Sequence, residues 1–189
     1  MLGSIRPRWR RCWSLREFRV YSLPASRVTL TGVGDELRRD AVDDLRCYRP
    51  SARVDPSPTE FLTRARERLD RGQHVYTLTA DGILVHYSWL EHGALRCGSD
   101  FGHEFRFEAP AAVLWDDYTW PAARGRGLQT RAILRRLRDA AAGGAGTMII
   151  GAVADNLVSR HNIEKLGFTY WASGWVRYRF GRVQRWITD

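Results

Sequence analysis

The sequence has little lysine, little cysteine and no long apolar run, and each shortage argues against a class of protein. Only Lys165 among the 30 basic residues is a lysine, so the basicity comes from arginines spread along the chain. The three cysteines, Cys12, Cys47 and Cys97, form no Cys-x-x-Cys pair, so neither a disulfide framework nor a zinc site is expected. No run of about 18 apolar residues predicts a transmembrane helix. These features favour a cytoplasmic protein without a metal.

The charge of the chain raises the question of a nucleic-acid partner. A net charge of +9 and an isoelectric point of about 10.2 are typical of proteins that bind nucleic acids. The arginines are dispersed, however, which indicates a compositional bias, so nucleic acid is not expected as a partner. A basic surface would still attract an anionic ligand. Residues 1–15 are basic and are predicted to form a flexible tail, and association with a membrane surface or an acidic partner is the alternative.

Residues 16–189 are predicted to form a single mixed α/β domain, because 44% of the chain is hydrophobic and helical and strand patterns alternate along it. Strands are expected at 18–23, 74–79, 83–90, 111–119, 147–154 and, as one or two strands, 170–180. Helices are expected at 35–48, from Thr59 to about residue 71, at 127–142 and at 156–166. The pattern over residues 93–107 is less clear.

One segment carries the features of an anion-binding turn. Residues 118–127 read YTWPAARGRG, and Pro121 ends a strand there. Gly125 and Gly127 allow the backbone to approach a ligand closely. The free N–H groups and the dipole at the start of the following helix favour an anion such as a pyrophosphate. Glycine spacing alone fits a tight strand–helix turn equally well.

A second segment follows the next predicted strand. Residues 155–168 read DNLVSRHNIEKLGF, with Ser159 three residues after Asn156 and with Gly167 and Phe168 at the end of a helix. Helix capping explains part of this pattern. The presence of both segments, in this order and at this separation, indicates more than capping.

Together the two segments resemble the acetyl-CoA-binding half of the GNAT superfamily of N-acetyltransferases. Arg124, Gly127 and Gln129 occupy the defined positions of that family's turn, and Asn156, Ser159, Gly167 and Phe168 match its second segment. The resemblance covers about residues 113–168. It implies a mixed, mostly antiparallel sheet flanked by helices, in which a splayed strand pair binds acyl-CoA. Residues 111–189 would then form the CoA-binding half and residues 16–110 the acceptor-side half.

The resemblance also implies roles for individual residues. Backbone groups of Tyr118, Thr119 and Trp120 would pair with the pantetheine arm. The pyrophosphate would be held by the amides of Arg124, Gly125, Arg126, Gly127, Leu128, Gln129 and Thr130. Asn156 and Ser159 would contact the pantetheine arm or brace the two splayed strands.

The chain departs from the family pattern at two positions. Gln129 stands where glycine or alanine is usual, so its side chain would either crowd the phosphate or donate to it. Ile163 stands where many relatives carry the tyrosine that protonates the leaving thiolate. Tyr170 and Tyr178 are the alternative candidates for this general acid.

A base near the acceptor would help, because an amine must be neutral to attack a thioester. Asp116 and Asp117 are the candidates, and the alternation of side chains along a strand predicts that only one of them faces the cleft. Ordinary ion pairing with arginines is the competing interpretation of both. His86, His92 and His103 are candidates for the lining of the acceptor site, and their spacing is not that of a metal site.

The resemblance implies an enzyme that transfers an acyl group from acetyl-CoA, or another acyl-CoA, to an amine of a small molecule. One alternative is an accessory or nucleic-acid-binding protein that has the fold without the activity. Another is a transferase that acts on a protein or peptidoglycan-type amine. A homodimer is a further expectation, because an exposed aromatic strand at the C-terminal end would allow strand pairing between copies.

Overall fold

The computed structural model describes residues 13–29 and 34–189, which form one sheet with helices packed on it. The strands are β1 Trp13–Pro24, β2 Arg38–Arg39, β3 His74–Ala80, β4 Ile83–Gly98, β5 Glu104–Thr119, β6 Thr147–Val153, β7 Thr169–Arg179 and β8 Arg182–Thr188. The helices are α1 Val42–Leu45, α2 Pro58–Asp70, α3 Leu128–Ala142 and α4 Leu157–Lys165. No helix within these two ranges is long and apolar enough to cross a membrane.

The eight strands lie in the order β2-β3-β4-β5-β6-β1-β7-β8. Only β5 and β6 run parallel, and every other neighbouring pair is antiparallel. This arrangement confirms the predicted mixed, mostly antiparallel sheet. The parallel pair lies near the middle of the sheet, where both neighbours of each strand are other strands of the same sheet.

Helix α3 covers one face of the sheet with the apolar stripe that the sequence predicts. Ile133, Leu137 and Ala140 are buried against sheet residues such as Leu114 and Ile150. Helix α2 begins with a capping box, because the Ser57 hydroxyl accepts from the Glu60 amide and the Glu60 carboxylate accepts from the Ser57 amide. Its buried residues, Phe61 and Ala65, pack against Val75 and Trp89.

The first strand does not lie at an edge of the sheet but is inserted between β6 and β7. Its residue Phe18 pairs with Val153 of β6 and with Gly174 of β7. Residues 13–15, which the sequence assigned to the tail, belong to this strand, so that boundary was wrong. The remainder of the predicted tail lies outside the described residues.

The helix predicted over residues 35–48 is wrong for most of its length. Arg38 and Arg39 pair with β3 as a short strand, and only Val42–Leu45 is helical. Asp40 adopts a left-handed conformation with φ 54°, which a continuous helix does not allow. The segment 93–107, left unclear by its sequence, forms the ends of β4 and β5 and the tip of their hairpin.

Candidate functional site

Strands β5 and β6 are joined over only three residue pairs and then separate. Ala112, Val113 and Leu114 pair with Met148, Ile149 and Ile150. Beyond these pairs, residues 115–119 of β5 and 151–153 of β6 have no strand partner on the sides that face each other. A cleft of about 930 Å³ opens at this gap. The splayed strand pair that the resemblance implies is therefore present.

A bulge in β5 begins where the two strands part. Trp115 faces Trp89 and Tyr118 faces Tyr87, so Asp116 and Asp117 together occupy the space opposite one residue of β4. Asp116 has a left-handed backbone with φ 50°. A bulge increases the local twist of a strand, and here it accompanies the divergence of β5 from β6.

The cleft extends through the gap and is lined from both faces of the sheet. On the α2 side the lining comes from aromatic residues and the tip of the β4–β5 hairpin, namely Phe61, Tyr87, Trp89, Trp115 and residues 96–100. On the other side it reaches α3 and α4 at Gln129, Asn156 and Ser159. One continuous space therefore connects the acceptor-side half with three of the predicted cofactor residues, whereas residues 118–120, 124–128 and Thr130 do not line it.

Asp116 forms an ion pair on the α2 side with Arg68, a residue that was not predicted from the sequence to belong to the site. The Arg68 Nη1 lies 2.5 Å from Oδ2 of Asp116. The same guanidinium stacks over the ring of Trp115 at 4.1 Å and over that of Trp89 at 5.0 Å. Within the described part of the chain, the second carboxylate oxygen of Asp116 accepts no hydrogen bond. This oxygen remains available to a ligand in the cleft.

Asp117 is held on the opposite face by Arg136 of α3. The Arg136 Nη2 lies 2.5 Å from Oδ1 of Asp117, and the same side chain donates to the carbonyl of Trp89 at 2.9 Å. Burial raises the pKa of the Asp117 carboxyl, while the charge of Arg136 works against that rise. The two aspartates thus point to opposite faces, as strand alternation predicts. Both nevertheless line the cleft, so the prediction that only one would face it was wrong.

The turn before α3 has the free amides that an anion site needs. Gly125 and Gly127 have φ of 77° and 71°, and Gly127 precedes the helix without a side-chain cap. Among the described residues, no amide from Gly125 to Thr130 donates to another protein group. Arg124 donates its Nε to the carbonyl of Thr119 at 3.1 Å, which ties the turn to the end of β5. Residues 124–127 of the turn are exposed and lead directly into α3, which begins at Leu128.

The end of β5 has a strand partner only on its β4 side. The Trp120 amide donates to the carbonyl of Val85 at 2.8 Å, and the Thr119 hydroxyl bonds to His86 Nδ1 at 2.9 Å. The Tyr118 hydroxyl donates to Ser51 at 2.6 Å. Residues 118–120 have no strand partner toward the gap, where the pantetheine arm was predicted to pair, but the Thr119 carbonyl already accepts from Arg124 Nε.

Four polar side chains are connected at the helix side of the cleft, and three of them line it. Asn156 caps α4 by accepting from the Ser159 amide at 3.2 Å. Gln129 donates its Nε2 to the Ser159 hydroxyl at 2.7 Å and accepts from Asn162 Nδ2 at 3.0 Å. Ile163, where many GNAT relatives carry tyrosine, is fully buried in the core.

Neither candidate for the general acid lies in the cleft. Tyr170 is half-exposed and donates to the Ser173 hydroxyl, while Tyr178 packs at the margin of a core cluster that contains Phe105 and Val176. Both follow α4 on β7, which β1 separates from the splayed strand β6. The structure therefore gives no support to Tyr170 or Tyr178 as the acid.

The three histidines of the middle strands have different positions. His103 lines the cleft, and its ring bonds to the Ser99 hydroxyl and to the Trp175 carbonyl. His86 is fully buried outside the cleft, and His92 also lies outside it. Within residues 13–29 and 34–189, no three His, Cys, Asp or Glu side chains are grouped as a metal site requires.

Solved structures with the same architecture include several acetyltransferases. A GNAT-family acetyltransferase from Colwellia psychrerythraea is 15% identical, with a TM-score of 0.59 over 89% of this chain and 57% of its own. A GNAT-family protein from Novosphingobium aromaticivorans is 20% identical, with a TM-score of 0.56 over 87% of this chain and 65% of its own. This chain thus spans less than two thirds of either protein.

A third similar structure is that of an aminoglycoside N-acetyltransferase in complex with CoA. It is 16% identical, with a TM-score of 0.51 over 82% of this chain and 89% of its own. No protein-family model and no curated protein matches the sequence. The splayed strands, the glycine turn and these similar structures agree, and the chain has the fold of the GNAT acetyltransferases.

Proposed function

We propose that this protein transfers an acyl group from acetyl-CoA, or another acyl-CoA, to an amine of a small molecule. The observation that carries the proposal is the gap between β5 and β6, which ends beside a glycine turn whose amides are free. The free edge of residues 118–120 can pair with the amides of a pantetheine arm. The amides of residues 125–130 can bind a pyrophosphate, which the dipole of α3 also favours.

The α2 side of the cleft fits an amine acceptor. Its walls combine the rings of Phe61, Tyr87 and Trp115 with the carboxylates of Asp100 and Asp116. Burial is the first cause that raises the pKa of Asp100, and the charge of Asp116 adds to the rise. The Asp116 carboxylate oxygen that Arg68 does not bind can accept from an amine. The CoA-bound aminoglycoside N-acetyltransferase with the same fold supports the pairing of a CoA donor with an amine acceptor.

The proposed reaction is a direct attack on the thioester. The nitrogen of the neutral amine forms a bond to the carbonyl carbon, the carbon–sulfur bond breaks, and CoA leaves as a thiolate that takes up a proton. Asp116 is the better placed base, since it faces the acceptor side and keeps one carboxylate oxygen free of protein partners among the described residues. It would accept the proton that the amine loses, directly or through water.

Thermal unfolding with and without CoA tests the proposal, and two glycines provide a matched pair of variants. Gly127 and Gly144 share a left-handed backbone, with φ of 71° and 78°, and an added Cβ meets no atom within 4 Å at either. Aspartate tolerates this conformation. Gly127→Asp places a negative charge at the turn, whereas Gly144→Asp places it at the far end of α3.

CoA should raise the unfolding midpoint of the wild type and of Gly144→Asp, because a ligand of the folded state stabilises it. The rise should disappear in Gly127→Asp. Acyl transfer to a panel of amines, followed by release of free thiol, then tests the reaction. No midpoint shift at millimolar CoA in the wild type, or equal shifts in both variants, would contradict the proposed donor site.

A further inference from the structure

Gln129 bridges α3 and α4 at the cleft. It lies in the first turn of α3, and both ends of its carboxamide are bound to α4: Nε2 to the Ser159 hydroxyl at 2.7 Å and Oε1 to Asn162 Nδ2 at 3.0 Å. No other side-chain hydrogen bond or ion pair joins these two helices in the part of the chain that the structure describes. The contact is therefore a single polar bridge between the two helices.

The bridge crosses the space that the acyl donor needs. Gln129, Asn156 and Ser159 line the same cleft as Asp117 and residues 151–153 of the splayed strand. A pantetheine arm in the gap whose pyrophosphate reaches the free amides of residues 125–130 has to pass Gln129. Glycine or alanine, the usual residue at this position of the turn, has no atoms that reach α4.

We propose that Gln129 is a latch that acyl-CoA has to open, and that it then holds the bound donor. This inference rests on the proposed function and extends it. When the donor enters, the carboxamide leaves Ser159 and Asn162 and turns to the amide groups of the pantetheine arm. A carboxamide suits this exchange because it offers both a donor and an acceptor, as an amide of the arm does.

In the closed state, the two hydrogen bonds of Gln129 slow the association of the donor. Once the donor is bound, Gln129 no longer contacts Ser159 and Asn162. Two neutral hydrogen bonds of ordinary strength, about 1 kcal/mol each, correspond to about a thirtyfold change in an equilibrium constant. Asn162→Ala removes one partner of the latch without touching the cleft, since Asn162 does not line it. His161→Ala truncates the neighbouring exposed residue of the same helix and is the matched control.

Stopped-flow binding of CoA to the full chain separates opening from holding. Asn162→Ala should bind CoA about three- to tenfold faster than the wild type with an unchanged dissociation rate, as expected for the loss of one hydrogen bond or slightly more. Gln129→Ala should associate as fast or faster and also dissociate faster, because nothing replaces the carboxamide on the arm. His161→Ala should match the wild type.

If Asn162→Ala associates with CoA at the wild-type rate, the latch proposal is overturned, even if Gln129→Ala binds faster. The Gln129 side chain would then slow binding by its size alone. Faster dissociation in Asn162→Ala without faster association would overturn it as well. Binding by Gln129→Ala with none by the wild type would overturn the proposal as well, because CoA would then be unable to open the latch. Absence of CoA binding in all four proteins would overturn the proposed function itself, and the latch with it.

Discussion

The Nη2 atom of Arg136 lies 2.5 Å from Oδ1 of Asp117, and the arginine side chain has no exposed surface. Arg136 also donates to backbone carbonyls of Ala132 and Trp89, so its buried guanidinium has several partners. It connects α3, which carries the glycine turn, to β4 and to the bulged part of β5. The glycine turn and the β5 side of the gap between β5 and β6 are thereby fixed relative to each other.

Replacement of Arg136 with methionine should therefore be strongly destabilising. Removal of one member of a buried ion pair leaves the other charge without compensation, which typically costs about 3–5 kcal/mol in the free energy of unfolding. Arg138→Met is the control, because Arg138 on the same helix pairs with Asp35 at the surface and should matter by less than about 1 kcal/mol. Urea unfolding measures both, and similar losses in the two variants would contradict the assignment.

The buried His86 should make the protein less stable in mild acid. Burial, followed by the charges of Arg136 and Arg131, lowers the pKa of His86 to about 3. His86 therefore takes up a proton near pH 6.5 in the unfolded chain but stays neutral at that pH in the folded protein. The free energy of unfolding falls as the pH drops below 6.5. This histidine can contribute up to about 1.4 kcal/mol per pH unit in that range.

His86→Asn removes this proton uptake, so urea unfolding between pH 7 and pH 5 should show a smaller loss of stability than in the wild type. Between pH 7.5 and 8 the histidine is neutral in both states, and the difference between the two proteins should stay constant there. Parallel curves from pH 7 to pH 5 would show that His86 is not the residue responsible.

Introducing at position 163 the tyrosine that many GNAT proteins carry should damage the protein rather than improve it. Ile163 is fully buried with Tyr21, Leu23 and Phe168, so a larger ring with a hydroxyl would have to displace these neighbours. Overpacking of this kind typically costs about 1–3 kcal/mol. Ile163→Val, which only removes a methylene, should cost about 0.5–1.5 kcal/mol. A stable and more active Ile163→Tyr would mean that α4 can rotate this position toward the cleft.

Asp116→Asn tests the proposed base. Loss of a general base usually lowers the rate by about 10²- to 10⁴-fold, so kcat/KM for the amine should fall by at least about 10²-fold at pH 7. CoA binding should change little. Glu104→Gln is the control, since Glu104 also lines the cleft but pairs with Arg96 and Arg106 at the hairpin tip. A fall of the same size in Glu104→Gln would indicate a general charge effect.

The sequence predicted the features that depend on local signals. The glycine turn and the Asn156 cap were located from spacing. The strands expected at 74–79 and 83–90 form the β3–β4 hairpin, and both residues of its Asp81-Gly82 turn have positive φ. The helix expected from Thr59 to about residue 71 is α2, Pro58–Asp70. Each of these signals lies within a few residues of the structure that it specifies, so no information about distant contacts was needed.

The features that the sequence did not predict depend on distant partners. Nothing in the local sequence distinguishes Arg68 and Arg136 from the other arginines of their helices, and their pairing with Asp116 and Asp117 depends on β5, which is distant in sequence from Arg68. The helical periodicity at residues 35–48 was outweighed by the pairing of Arg38 and Arg39 with β3. A resemblance to a motif also says nothing about whether Gln129 turns toward a ligand or toward α4.

The position of β1 has a consequence for how the chain acquires this fold. Strand β1 is made early, yet its neighbours β6 and β7 both come from the last part of the chain. During synthesis on the ribosome it has no native partner until most of the protein has emerged, and pairing between such distant segments is intrinsically slow. The gap between β5 and β6 is therefore expected among the last features to form, and a nascent chain that stalls before β7 would carry an incompletely paired β1 that can bind chaperones or aggregate.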